Sequence, residues 1–266
     1  MTTATSIADI VDLHQFQLAD ADFRTHCRNV LESSGCVLLN GFLRPDAVQS
    51  ICQEAVLNQH LAYFCRQEHN VYLAPTDENY AASHPRNRRV ISSKGCITDD
   101  QIPRESVLRT LYDSTEFRDF LCTVLGEDSM HEYADSLSSI NIHYAADGQE
   151  LGWHFDNSSY AITLLLQQPK MGGEFEYIRS LRYLADGTVN FEGVREVLDG
   201  EREVQGIEAE PGTLVLFSGG ESIHRVTPVQ GEKTRMLAVL AYNSKPGIAL
   251  SESARMTFFG RLGSES

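Results

Sequence analysis

Apolar positions in the first half of the chain recur at helical spacing. From Ala21 to Ser34 they fall on Phe23, Cys27, Val30 and Leu31, and Gly35 follows as a C-cap, so a helix is predicted there. The run CVLLNGF, Cys36 to Phe42, is short, apolar and closed by Asn-Gly, and predicts a buried strand. A second helix is expected from Pro45, a residue suited to a first helical turn, to about Cys65. Glu68 to Gln101 is polar and carries Pro75, Pro85 and Gly95; it predicts a loop long enough to act as a lid. From Ser106 to Leu125 the helical stripe returns through Leu108, Leu111, Phe117, Phe120 and Leu121, with Gly126 at its end.

Beyond about Asp135 the pattern changes to short β-like runs punctuated by glycine: SSINIHY, SYAITLLLQ, GGEFEYI, GTLVLFSGG and TRMLAVLAYN. Strands that return without long helices argue for an antiparallel sandwich or barrel. Ser180 to Glu210 is polar and predicts a hairpin insertion with a short helix. The expected fold class is mainly β with supporting α-helices. With no repeat or linker in the chain, a single domain over 1–266 is expected: helical support and an active-site loop over 1–135, the β core over 136–250, and a tail over 251–266.

Composition narrows the partners. Hydrophobic residues make up 42% of the 266, enough to fill a core and exclude wholesale disorder. The net charge of −15 repels phosphate backbones and anionic lipid, so neither nucleic acid nor a membrane surface is an expected partner. A small molecule or a protein fits better. The opening residues lack a basic segment followed by an apolar one, and no apolar run is of spanning length, so a cytoplasmic location is expected. The six cysteines lack CxxC spacing and read as reduced, buried thiols.

The β half carries the chemistry. In LGWHFDNSS, His154 and Asp156 stand two apart, and residues i and i+2 of a strand share a face. His224, in ESIHRVTP, offers a third metal ligand. Two imidazoles and one carboxylate leave three positions of an octahedral ion open, which suits non-haem Fe(II) binding a cosubstrate and dioxygen together. Arg235 opens an otherwise apolar strand eleven residues after His224, where it needs an anionic partner and can fork onto a carboxylate. Tyr144, ten residues before His154, can add a hydroxyl to the same ligand.

The order Tyr144, His154-Phe155-Asp156, His224, Arg235 resembles the Fe(II)/2-oxoglutarate-dependent dioxygenase superfamily. The tyrosine spacing is similar to that of its prolyl-hydroxylase-like branch. The strings LGWHFDNSSYAITLLLQ, GGEFEY, SIHRVTP and SESARMTFFGR are more similar to a subgroup of free-amino-acid hydroxylases and radical halogenases. This resemblance implies a double-stranded β-helix, or jelly roll, with iron held by His154, Asp156 and His224. Arg235 and Tyr144 would bind 2-oxoglutarate, and dioxygen would complete the reactants, with succinate and carbon dioxide released. In the halogenases a small residue replaces the carboxylate and halide binds in the vacated space. Asp156 takes that space here, so hydroxylation of an unactivated C–H bond is expected over halogenation.

A small polar metabolite, a free amino acid, is the expected substrate; a peptide or a carrier-bound or natural-product intermediate is the alternative. A non-catalytic metal-binding jelly roll is the remaining class. Arg88 and Arg89, in HPRNRR, are candidates for a substrate carboxylate, and Asn157 and Ser158 for a substrate amine or hydroxyl. Asn243 is a further pocket candidate, and Arg255 a second arginine for the cosubstrate that reads better as a surface residue. His143 alternates with Tyr144 and reads as a structural histidine on the opposite face; Trp153 likewise reads as core.

Overall fold

The computed structural model of the protein describes residues 6–263. A short helix α1 (Ile7–Ile10) leads into α2 (Ala21–Ser34), which ends where Gly35 adopts the left-handed conformation at φ 76°. Strand β1 (Cys36–Leu39) stops before the Asn-Gly turn, and α3 (Pro45–Asn58) begins on its proline. That helix then tightens into one 3-10 turn over Gln59–Leu61 instead of running to Cys65.

The polar stretch after it is mostly not loop. Strands β2 (Tyr63–His69) and β3 (Val90–Ile97) pair over seven residues, Tyr63 opposite Cys96 and His69 opposite Val90. Only 70–89 connects them irregularly. The expected helix end and the expected 68–101 loop are both corrected by this hairpin, whose stability comes from pairing with the rest of the sheet. The stripe from Ser106 to Leu125 is likewise two helices, α4 (Val107–Asp113) and α5 (Thr115–Leu125). Between them Ser114 is extended, and its hydroxyl accepts from Phe117 N–H at 3.3 Å.

The remaining strands follow the expected segments: β4 (Ile140–Ala145), β5 (Leu151–His154), β6 (Ala161–Gln167) and β7 (Phe175–Ile178). After the insertion, with α6 (Phe191–Leu198), come β8 (Gln205–Ile207), β9 (Leu214–Phe217), β10 (Ile223–Val226) and β11 (Arg235–Leu240). Helix α7 (Glu252–Phe259) lies in the tail. All pairings are antiparallel, in the order β1-β9-β6-β11-β4-β3-β5-β10-β7-β8, with β2 on the other side of β3. Strand β3 joins the two halves: Gly95–Ile97 pair with β4, and Ser92 pairs with Leu151 of β5. This is a jelly-roll core with helices braced on one face.

The bracing explains which residues point where. Leu31, Ile51, Leu111, Phe117 and Leu121 of the helices share one buried cluster with Ile142, Tyr144, Leu164, Met236, Ala238 and Leu240 of the sheet. The alternate residues of the same strands, His143, Thr163, Arg235, Leu237 and Val239, are only partly covered, because they line the hollow of the roll. All six cysteines are unpaired, and Cys27, Cys36 and Cys96 are buried. Among the described residues no helix is long and apolar enough to cross a membrane.

Candidate active site

Strands β5 and β10 place His154 directly opposite His224. Opposed residues share a face, so the imidazoles meet with ring centres 4.1 Å apart. The strand assignment ends at His154, yet the next two backbone N–H groups still donate on alternate sides, Phe155 to Val71 O at 2.7 Å and Asp156 to Gly219 O at 2.9 Å. Phe155 therefore turns away onto Tyr72, with ring centres 5.6 Å apart, and Asp156 returns to the side of His154. Asp156 Oδ1 lies 3.6 Å from His154 Nε2 and 3.5 Å from His224 Nε2.

The tautomers are set from behind. His154 Nδ1–H donates to Gly152 O at 2.7 Å, and His224 Nδ1–H donates to Ser222 O at 3.0 Å. A carbonyl only accepts, so each Nδ1 carries a hydrogen and each Nε2 is the nitrogen turned toward Asp156. Burial lowers the pKa of His154 and the charge of His224 lowers it further, against the raising influence of Asp156. Burial alone would raise the pKa of Asp156. The His224 and His154 imidazoles outweigh it by charge and hydrogen bonding, and hold the carboxyl well below the usual carboxylate range. Two imidazole nitrogens and a carboxylate oxygen within 4.8 Å of one another fit one divalent first-row ion. Gly219 makes room for the carboxylate: a Cβ there would stand 1.9 Å from Asp156 Oδ2.

Cations line the hollow beyond the triad. Arg235 is only partly covered and meets no carboxylate among the described residues; burial alone brings its pKa down to about 10. Lys94 on β3 is likewise half-buried, and its Nζ lies 3.1 Å from both ring nitrogens of His143. Half-buried cations that form no ion pair among the described residues fit an anionic ligand, so the wall suits a carboxylate-bearing cosubstrate as the triad suits the metal.

The sequence pattern of the family described as "HalD: Halogenase D" matches residues 19–256. The chain belongs to the Halogenase D family. Searching the curated proteins finds no match. Among solved structures, the fold is similar to the non-haem α-ketoglutarate-dependent carbocyclase SnoK from nogalamycin biosynthesis. That likeness has 14% identity over 90% of this chain and 93% of that one, at a TM-score of 0.56. It is also similar to AviO1 from Streptomyces viridochromogenes, at 14% identity over 86% and 97%, TM-score 0.55. A third likeness, at 14% identity over 82% and 89% and TM-score 0.52, is to a Trichoplax adhaerens prolyl hydroxylase in complex with a hypoxia inducible factor peptide fragment. At these identities the structures speak for the fold alone.

In this Halogenase D chain, several residues singled out from sequence stand elsewhere than expected. Tyr144 faces the helices, not the hollow. Its hydroxyl donates to Ala55 O at 2.7 Å, a last-turn carbonyl of α3. It pairs with the buried Met236, so β4 presents His143 to the hollow instead. The readable signal was parity: Tyr144 is in step with Ile140 and Ile142. Arg88 is used structurally, donating from Nη1 to Asp199 Oδ1 at 2.5 Å and from Nη2 to Leu198 O at 3.1 Å. Arg89 donates to Thr76 Oγ1 at 2.8 Å and Glu68 O at 3.4 Å. Both arginines tie the 70–89 loop down.

Asn157 and Ser158 are exposed just past Asp156, and the Ser158 hydroxyl donates to Tyr160 O at 3.1 Å. Asn243 bridges to His131, and Arg255 on α7 donates to Leu262 O at 2.5 Å, so neither joins the triad. Trp153 packs with Val194 and Val197 of α6. Two neighbours were hidden inside the supposed loop. Lys94 is one. His69 is the other, 6.2 Å from the His154 ring, with Nε2 2.6 Å from Ser92 Oγ.

Proposed function

We propose that the protein is an Fe(II)- and 2-oxoglutarate-dependent oxygenase that hydroxylates an unactivated C–H bond of a small polar metabolite, most simply a free amino acid. The observation that carries this reading is Asp156, seated against both imidazoles with Gly219 cut back to admit it. The family's name raises halogenation as the competing reading. A carboxylate in the third position fills the space and supplies the charge that a halide would bring, which favours hydroxylation.

His154, Asp156 and His224 would hold the iron, with both rings oriented by their carbonyl partners. Arg235 would take the distal carboxylate of 2-oxoglutarate, offering two parallel N–H donors from the hollow of the roll. Iron, 2-oxoglutarate and dioxygen together supply the oxidising power, with release of succinate and carbon dioxide. The roll itself excludes water from that chemistry, and the half-accessible strand faces give the reactants their room. Asn157, exposed next to Asp156, would meet a substrate at the mouth of the roll.

The test is anaerobic reconstitution with Fe(II) and 2-oxoglutarate, followed by free amino acids while the weak visible charge-transfer band is watched. The expected result is a band that shifts with one amino acid, then substrate-dependent succinate formation and a product heavier by one oxygen. Asp156→Ala and His154→Ala should abolish turnover. A chlorinated product from the unaltered protein in chloride would overturn the hydroxylase reading, and full turnover in both variants would overturn the oxygenase one.

A further inference from the structure

Lys94 has no evident structural reason to be where it is. It stands on β3 with its ammonium inside the roll, where it makes no ion pair among the described residues and its polar contact is His143. A half-buried ammonium with only an imidazole beside it is a liability to folding unless something anionic arrives. Burial lowers its pKa, against the opposing influences of Cys96, Cys65 and Asp156.

The register shows what it faces. Gly95 is paired with Tyr144, so Lys94 falls one step further along β3, level with Ala145. Arg235 is paired with Ala145 from the other side. The two cations thus flank one small residue in a single cross-strand row, with backbones about 10 Å apart at two strand spacings. Both side chains are long enough to reach over Ala145 from opposite sides. His143, on the same face of β4, feels the charge of both. A lysine, a histidine and an arginine therefore border one patch of the hollow, with the small side chain of Ala145 between the two longer cations.

We propose that Lys94, steadied by His143, shares the distal carboxylate of 2-oxoglutarate with Arg235, and so makes the site selective for keto acids bearing a second carboxylate. This rests on the cosubstrate assignment above and adds a specificity-determining residue to it. A carboxylate has two oxygens with lone pairs to spare, so a guanidinium on one side leaves acceptors for an ammonium on the other.

The experiment is calorimetric binding to the Mn(II)-loaded protein, comparing 2-oxoglutarate with 2-oxopentanoate, which has a methyl group in place of the distal carboxylate. In the unaltered protein 2-oxoglutarate should bind far more tightly. K94M should weaken 2-oxoglutarate by about 10- to 100-fold and leave 2-oxopentanoate nearly unchanged, as expected for one lost charge-assisted bond. The metal-free, ligand-free K94M protein should melt at or above the temperature of the unaltered one, since an unpaired ammonium has been removed. K94Q, of similar length and polar, gives the same comparison should K94M fold poorly. Unchanged affinity for 2-oxoglutarate in either variant overturns the role of Lys94 and leaves the cosubstrate assignment standing. An equal loss for both keto acids also overturns it, because the distal carboxylate would not be the group contacted. No binding of 2-oxoglutarate to the unaltered protein sinks both.

Discussion

Gly219→Ala tests the metal centre without touching a ligand. The added Cβ would sit 1.9 Å from Asp156 Oδ2 and 2.7 Å from its Cγ, whereas a real Cβ keeps at least 3.0 Å. The carboxylate must therefore retreat by about an ångström, several times the ~0.2 Å by which metal–ligand distances ordinarily vary. Its other oxygen then loses its place 3.5 Å from His224 Nε2 and 3.6 Å from His154 Nε2. Displacing a ligand through its surroundings commonly costs 10- to 100-fold in metal affinity, or about 1.4–2.8 kcal/mol. Calorimetric titration with Mn(II) reads this directly, with thermal melting as the check on folding. Because the effect passes through Asp156, Gly219→Ala should add little on top of Asp156→Ala. Metal affinity unchanged in Gly219→Ala, or a full extra loss in the double variant, would refute the reasoning.

Three further outcomes are expected. Tyr144→Phe removes the hydroxyl that caps Ala55 O in the buried helix–sheet seam. It should cost about 1–3 kcal/mol in chemical denaturation while 2-oxoglutarate affinity holds, the reverse of what a cosubstrate ligand would show. Arg88→Ala should leave the substrate KM unchanged and make the 70–89 loop more open to limited proteolysis, because Asp199 and Leu198 O are its partners. For pH, burial first, then Lys94 and Arg235, push the pKa of His143 well below its ordinary 6.5. The unfolded chain therefore binds the extra proton as pH drops below 6.5, so stability is full above that value and falls with acidification. The slope from this one group is at most about 1.4 kcal/mol per pH unit. Urea midpoints from pH 8 to 5 on the metal-free protein should show it, with a shallower fall in His143→Gln.

Much of this protein is written in short-range pattern. The α2 stripe with its Gly35 stop, the β runs after Asp135, and the spacing of His154, Asp156, His224 and Arg235 are all local facts of order and period. They sufficed to expect a β core and a metal triad. What failed did so where a partner distant in sequence decides. Tyr63 to His69 has no strong period of its own and becomes a strand because Val90 to Cys96 lies against it. Arg88 looked free until folding brought Asp199, 111 residues away, to its guanidinium.

The face of β4 was the most instructive case. Ile140, Ile142 and Tyr144 alternate as one apolar row, while tyrosine spacing to His154 pointed the other way. The helices settled it, because the row they cover must exclude water, and Ala55 O needed a donor there. Once Tyr144 is committed to that face, alternation sends His143 inward, and sheet pairing brings Lys94 and Arg235 beside it. Sequence by itself determines which residues can bind a metal and which run of the chain can be a strand. Which face looks inward, and which cations gather there, is decided only when long-range pairing chooses the side that the helices will bury.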